Sequence, residues 1–148
     1  MTLLEKLNDD LKAGMKAGDR NRVEVIRFAL ASVNAALKEK IMKTPGAPFT
    51  DEEVVAVLQR DIKRRKDAIE LFKQGKRADL VAKEEGDLAI LAGYVPAGLS
   101  MAEVEKTIDG LIKGGVKDFN GLMREAMKAM KGRADGKTVG DVIKKKIG

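Results

Sequence analysis

No cysteine, histidine or tryptophan occurs in this 148-residue chain, and its aromatics are four Phe and one Tyr. Without Cys or His there is no thiol nucleophile, no Ser–His or Cys–His pair and no Cys/His zinc site. Disulfides are excluded as well, which fits a reducing, cytoplasmic setting. The acid–base groups that remain are carboxylates, lysines and Tyr94. No catalytic residues, metal or cofactor are expected. Long apolar runs are also missing. The longest uncharged stretch, Leu88 to Ala102, contains Gly93, Pro96 and Gly98 and is shorter than the roughly 20 apolar residues of a membrane span. Glu5, Asp9 and Asp10 place acidic charge where a signal peptide has none, so neither a targeting segment nor a membrane partner is expected.

The chain is rich in Lys, Glu, Ala and Leu, and 44% of it is hydrophobic. It can therefore bury a core, which must rest on Leu, Ile, Val, Met and Ala. Strand-like alternation is scarce and the class is all-α. Thr2-x-x-Glu5, Thr50-x-x-Glu53 and Ser100-x-x-Glu103 read as capping boxes. A first helix carries Leu3, Leu7, Leu11 and Met15. A second carries Val23, Ile26, Leu30, Val33, Leu37 and Ile41, and Thr44-Pro45-Gly46-Ala47-Pro48 ends it. The third runs from Thr50 to Gly75, and the fourth holds Leu80, Val81, Leu88 and Leu91.

Val95-Pro96-Ala97-Gly98 is the best domain boundary, because the residue before proline avoids helical geometry. Three short helices are expected beyond it: Ser100 to Lys113, Asp118 to Lys131 and Thr138 to Ile147. The last is too short to persist alone. The expected architecture is a four-helix bundle over 1–95 followed by a three-helix bundle over 96–148. No internal repeat is evident. Met123, Met127 and Met130 fall at core spacing on the sixth helix.

Charge is uneven along the chain. The last eighteen residues hold six basic and two acidic side chains, most of the overall +6. This excess begins at Lys131-Gly132-Arg133-Ala134-Asp135-Gly136-Lys137-Thr138. The segment invites comparison with the phosphate loop G-x-x-x-x-G-K-[ST]. However, only three residues separate its glycines, and it follows a helix where that loop follows a strand. Nucleotide hydrolysis is not expected.

What remains is a basic corner between helices. Gly132 can cap the sixth helix in the left-handed region, and Asp135-Gly136 favours a tight turn. Lys131, Arg133 and Lys137 can meet phosphates near the start of the last helix, with Arg124, Lys144, Lys145 and Lys146 as a flanking field. Against this stands a purely structural turn shaped by Gly132, Asp135 and Gly136. A second basic run, Arg60 to Lys66, reads as a solvated helix face.

Several further motifs lie along essentially the whole chain. They are Val25-Ile26-Arg27; Arg65-Lys66-Asp67-Ala68-Ile69 with Phe72; and Gly75-Lys76-Arg77-Ala78-Asp79-Leu80. Leu91-Ala92-Gly93-Tyr94-Val95-Pro96 follows with Leu99-Ser100 and Glu103, and then the corner Lys131 to Lys137. Together they resemble the YqeY (GatB/YqeY) family. Lys128 and Gly140 depart from the pattern, standing where proline and a polar residue are common.

The resemblance implies kinship with the C-terminal helical and tail portion of the B subunit of glutamine-dependent aminoacyl-tRNA amidotransferase, a carbon–nitrogen ligase using glutamine as nitrogen donor. That portion helps hold tRNA. By fold-level analogy this chain would bind tRNA without catalysing amidation itself. With so few aromatics, contact would be through phosphates and shape. The alternative is a helical module docking on an amidotransferase or another protein, without nucleic acid.

Overall fold

The computed structural model describes residues 1–148, which form seven α-helices and no strand. These are α1 Leu3–Ala17, α2 Arg20–Lys43, α3 Asp51–Gln74, α4 Ala78–Ala92, α5 Met101–Lys113, α6 Phe119–Met130 and α7 Gly136–Ile147. The fold is all-α, and the chain divides into two compact units, Met1–Val95 and Pro96–Gly148.

Side chains set the helix starts. Thr50 completes its capping box: its hydroxyl accepts the Glu53 amide at 3.2 Å, and the Glu53 carboxylate accepts the Thr50 amide at 3.3 Å. Lys40 also holds Glu53 through an ion pair, which fixes the carboxylate for this role. Thr2 and Ser100 make only the forward half, accepting the amides of Glu5 and Glu103. Asp19, Asp118 and Asp135 cap α2, α6 and α7.

The core of the first unit gathers Leu7 of α1; Val25, Ile26, Ala29, Leu30 and Val33 of α2; Val54, Val57 and Leu58 of α3; then Leu91 of α4 and Tyr94. The α2 stripe read from the sequence holds at Ile26, Leu30 and Val33. It fails at Ile41, which is exposed because the last turns of α2 run past the core. The Tyr94 hydroxyl donates to the Asp10 carboxylate and so ties the segment after α4 to α1.

Charge is buried between α3 and α4. Asp61 and Asp87 are only 3% and 2% exposed. Arg65 Nη1 donates to Glu84 Oε2 at 3.1 Å and to Asp87 Oδ2 at 3.2 Å. Its Nε stands 3.7 Å from Asp61 Oδ1, too long for a hydrogen bond. The guanidinium also lies 5.5 Å from the Phe28 ring centre, within cation–π range. Burial raises the Asp61 pKa, opposed by the positive charges of Arg65 and Arg64.

The second unit is built from short helices that need one another. Its core is Val104 and Ile108 of α5, Leu122, Ala126 and Met130 of α6, and Val139, Val142 and Ile143 of α7. Met123 and Met127 pack against this core, as their spacing predicts. Gly140 is buried, and a Cβ there would lie 3.8 Å from both Met123 Sδ and Phe119 Cζ, an ordinary contact.

Candidate nucleic-acid interface

The α6–α7 corner is built by two consecutive left-handed residues. Lys131 ends α6 at φ 48° and ψ 43°, its amide donating to the Met127 carbonyl at 3.2 Å. Gly132 follows at φ 76°, a region open to glycine without steric cost. The left-handed cap thus starts at Lys131, one residue earlier than the glycine suggests. Arg133 then pins the corner to the segment preceding α5. Its carbonyl accepts the Leu99 amide at 2.8 Å, and its Nε donates to the Ala97 carbonyl at 2.9 Å. The remaining guanidinium donors belong to an exposed side chain.

The start of α7 differs from the expectation. The helix begins at Gly136 rather than Thr138, and Asp135 is its N-cap rather than part of a free turn. The Asp135 carboxylate accepts the Thr138 amide at 2.7 Å. An incoming phosphate therefore meets a carboxylate already placed at that amide. The exposed side-chain cations are the full positive charges of this corner.

Lys131, Arg133 and Lys137 share this corner and are all exposed. The ion pairs of the second unit are Arg124–Glu125 and Lys146–Asp109, so the three corner cations carry none. The flanking residues are less uniform. Arg124 Nε is 3.7 Å from Glu125 Oε1 on an exposed stretch of α6. Lys144 Nζ lies 5.9 Å from the Phe119 ring centre. Lys145 is exposed. Lys146 donates toward Asp109 of α5 at 2.8 Å, and that hydrogen bond raises its pKa. Successive helix residues point about 100° apart, so these three lysines fan out. They also lie about 12 Å along α7 from Lys137, at 1.5 Å per residue. Lys131, Arg133 and Lys137 thus belong to the corner segment, and the terminal lysines lie further along α7.

Elsewhere, the run Arg60 to Lys66 is not a uniform solvated face. Arg60, Lys63, Arg64 and Lys66 are exposed, but Arg65 turns inward to the acids of α3 and α4. A run of like residue types hides which member faces in; Asp61 four residues earlier on the same face was the available signal. Tyr94 drops out as an acid or base near neutral pH, because its pKa is pushed up to about 12, by burial first and then by its hydrogen bond to Asp10. Asp61, Glu84 and Asp87 do not converge in a metal-binding geometry. No helix is long and apolar enough to cross a membrane.

An all-α protein with an exposed cationic helix–helix corner is the class that fold and surface define. The chain belongs to the Yqey-like protein family, whose model matches residues 4–147. It is similar to the protein "Altered inheritance of mitochondria protein 41, mitochondrial" of Pyrenophora tritici-repentis, at 30% identity over 99% of this chain and 81% of that protein. The protein of the same name in Saccharomyces cerevisiae is 29% identical over 90% of this chain and 70% of its own length. An uncharacterised protein of Schizosaccharomyces pombe is 33% identical over 55% of this chain and 63% of that protein. The names of the first two place those relatives in mitochondria, a different compartment from the cytoplasm expected for this chain.

Proposed function

We propose that this chain is a non-catalytic tRNA-binding accessory protein whose α6–α7 corner meets backbone phosphates. The observation that carries this is the trio Lys131, Arg133 and Lys137: exposed, without carboxylate partners, and held on a corner pinned through Ala97 and Leu99. Exposed cations on a fixed frame suit phosphate recognition, which positions a nucleic acid without reading its bases. The resemblance to the tRNA-holding part of an amidotransferase B subunit supports tRNA as the polyanion, by analogy of fold. No paired nucleophile and base accompanies the corner, which favours binding over chemistry.

Fluorescence anisotropy with tRNA over a salt series tests this. Lys131→Glu combined with Lys137→Glu is the informative variant, because neither side chain makes a hydrogen bond or ion pair within the unit. Arg133 is left in place because its Nε holds Ala97. Weaker binding and a salt slope reduced by about 2 are expected. Wild-type affinity and slope in the double variant would refute the placement.

A second reading, a protein-docking module, is favoured by Ile41 and Met42, which are 53% and 83% exposed at the end of α2. A protein partner that co-purifies after nuclease treatment, and is lost on Ile41→Glu, would support it.

A further inference from the structure

Lys76 and Lys131 are the non-glycine residues of the chain with positive φ, at 56° and 48°. Each stands just past the end of a helix and ahead of the next: Lys131 is the C-cap of α6, and Lys76 follows Gly75, the C-cap of α3. Each lysine adjoins a glycine, and Arg-Ala-Asp comes directly after Lys76 but after the intervening Gly132 at Lys131. The segments are Gly75-Lys76-Arg77-Ala78-Asp79 and Lys131-Gly132-Arg133-Ala134-Asp135. Five residues are too few to appear as a period, and the two corners differ in backbone, since α4 starts at Ala78 and α7 at Gly136; what they share is a left-handed lysine beside a glycine.

The strain is informative. A left-handed lysine is costly where glycine is not, because its Cβ crowds the backbone. Gly75, beside Lys76, has an ordinary φ of −81°. The glycine is thus spared the strained conformation and a cation takes it. Lys76 then lines a surface groove with Lys73, Arg77, Val81, Ala82 and Glu85. The competing contacts are exposed and solvent-screened: Lys73 Nζ is 3.8 Å from Glu70, and Arg77 makes a two-point pair with Asp79 at 2.9 and 3.1 Å. A phosphate, which also accepts the guanidinium fork at two points, can replace Asp79 as the partner of Arg77.

We infer that the α3–α4 corner is a second RNA-phosphate contact, made by Lys73, Lys76 and Arg77, so that each unit of the chain offers one such corner. The inference rests on the reading of the α6–α7 corner as an RNA contact and adds the first unit to it. A protein with two separate phosphate contacts has a steeper salt dependence than one, since each neutralised phosphate releases counterions.

Filter binding of the full chain to tRNA across a salt series tests this with two double variants. Lys73→Ala with Lys76→Gly removes cations from the first corner; Lys131→Glu with Lys137→Glu does so at the second. Thermal unfolding is measured on each. Lys76→Gly relieves the positive φ, so the first variant should unfold at a temperature no lower than wild type. Its binding should nevertheless weaken, with the salt slope lower by about 2. Wild-type affinity and slope in that variant, with loss only in the second, would overturn the first-unit contact and leave the α6–α7 corner standing. Weaker binding accompanied by a lower unfolding temperature would also overturn it, since the role would then be structural. Absence of tRNA binding by the wild-type chain would overturn both.

Discussion

In the first unit, Arg65 is matched below the surface by Asp61, Glu84 and Asp87; in the second, Lys131 and Lys137 stand in solvent with no carboxylate paired to them. Helix length accompanies this contrast. The 24-residue helices α2 and α3 supply a wide core that can enclose a charged cluster as well as apolar side chains. The 12- and 13-residue helices α5, α6 and α7 supply a thin one, and every buried member of it is apolar or glycine. A thin core leaves charge outside, and the caps Ser100, Asp118 and Asp135 then matter more to helix formation. The same element that makes the second unit depend on caps, the short α7, also presents the basic corner.

The sharpest way to break this comparison is Arg65→Ala. Removing the cation leaves buried carboxylates uncompensated, and a loss of about 3–5 kcal/mol is expected in denaturant unfolding. A loss below about 1 kcal/mol would mean that the cluster is solvated and that the two units do not differ in this respect.

Next in size is Tyr94→Phe, which removes the hydrogen bond to the Asp10 carboxylate and should cost about 1.5–3 kcal/mol at neutral pH. Its pH signature is distinctive. The phenol pKa is raised from 10.0 to about 12 in the folded chain. Its contribution is therefore fully present below pH 10 and lost as pH rises toward 12. Wild type should lose stability through that window more steeply than the variant. Parallel curves would show that Tyr94 titrates alike folded and unfolded.

Two glycines of the second unit sharpen the point about caps. At Gly121 a Cβ would sit 2.6 Å from Oδ1 and 3.2 Å from Oδ2 of Asp118, whose Oδ2 accepts the Gly121 amide and so caps α6. Gly121→Ala should displace that carboxylate and cost about 1 kcal/mol despite alanine's better helix propensity. Gly140→Ala, with room for its Cβ, should instead stabilise by somewhat under 1 kcal/mol. Thermal unfolding midpoints moving in opposite directions would check both, and equal signs would contradict the cap argument.

Much of the fold was legible in the residues. The all-α class followed from composition, and the helix starts at Thr50 and Ser100 followed from their boxes. Other starts were hidden. Asp135-Gly136 reads equally as a turn or as a cap followed by the first helical residue, and Thr138, with Asp141 three residues on, offers a competing start. Only the folded chain shows the Asp135 carboxylate on the Thr138 amide, which occupies one of the amides at the start of α7. Lys144, Lys145 and Lys146 form one cluster as text, but helical geometry separates them and commits Lys146 to Asp109. The positive φ of Lys76 was equally invisible, because φ is not written in the sequence.

The measurement that bears most directly on the central claim is filter binding of wild-type chain to tRNA, to a length-matched non-specific RNA and to duplex DNA across one salt series. The account predicts tRNA bound more tightly than duplex DNA, with a linear fall of log affinity against log salt. Equal or tighter binding to DNA, or no salt-dependent binding to any of the three, would contradict it.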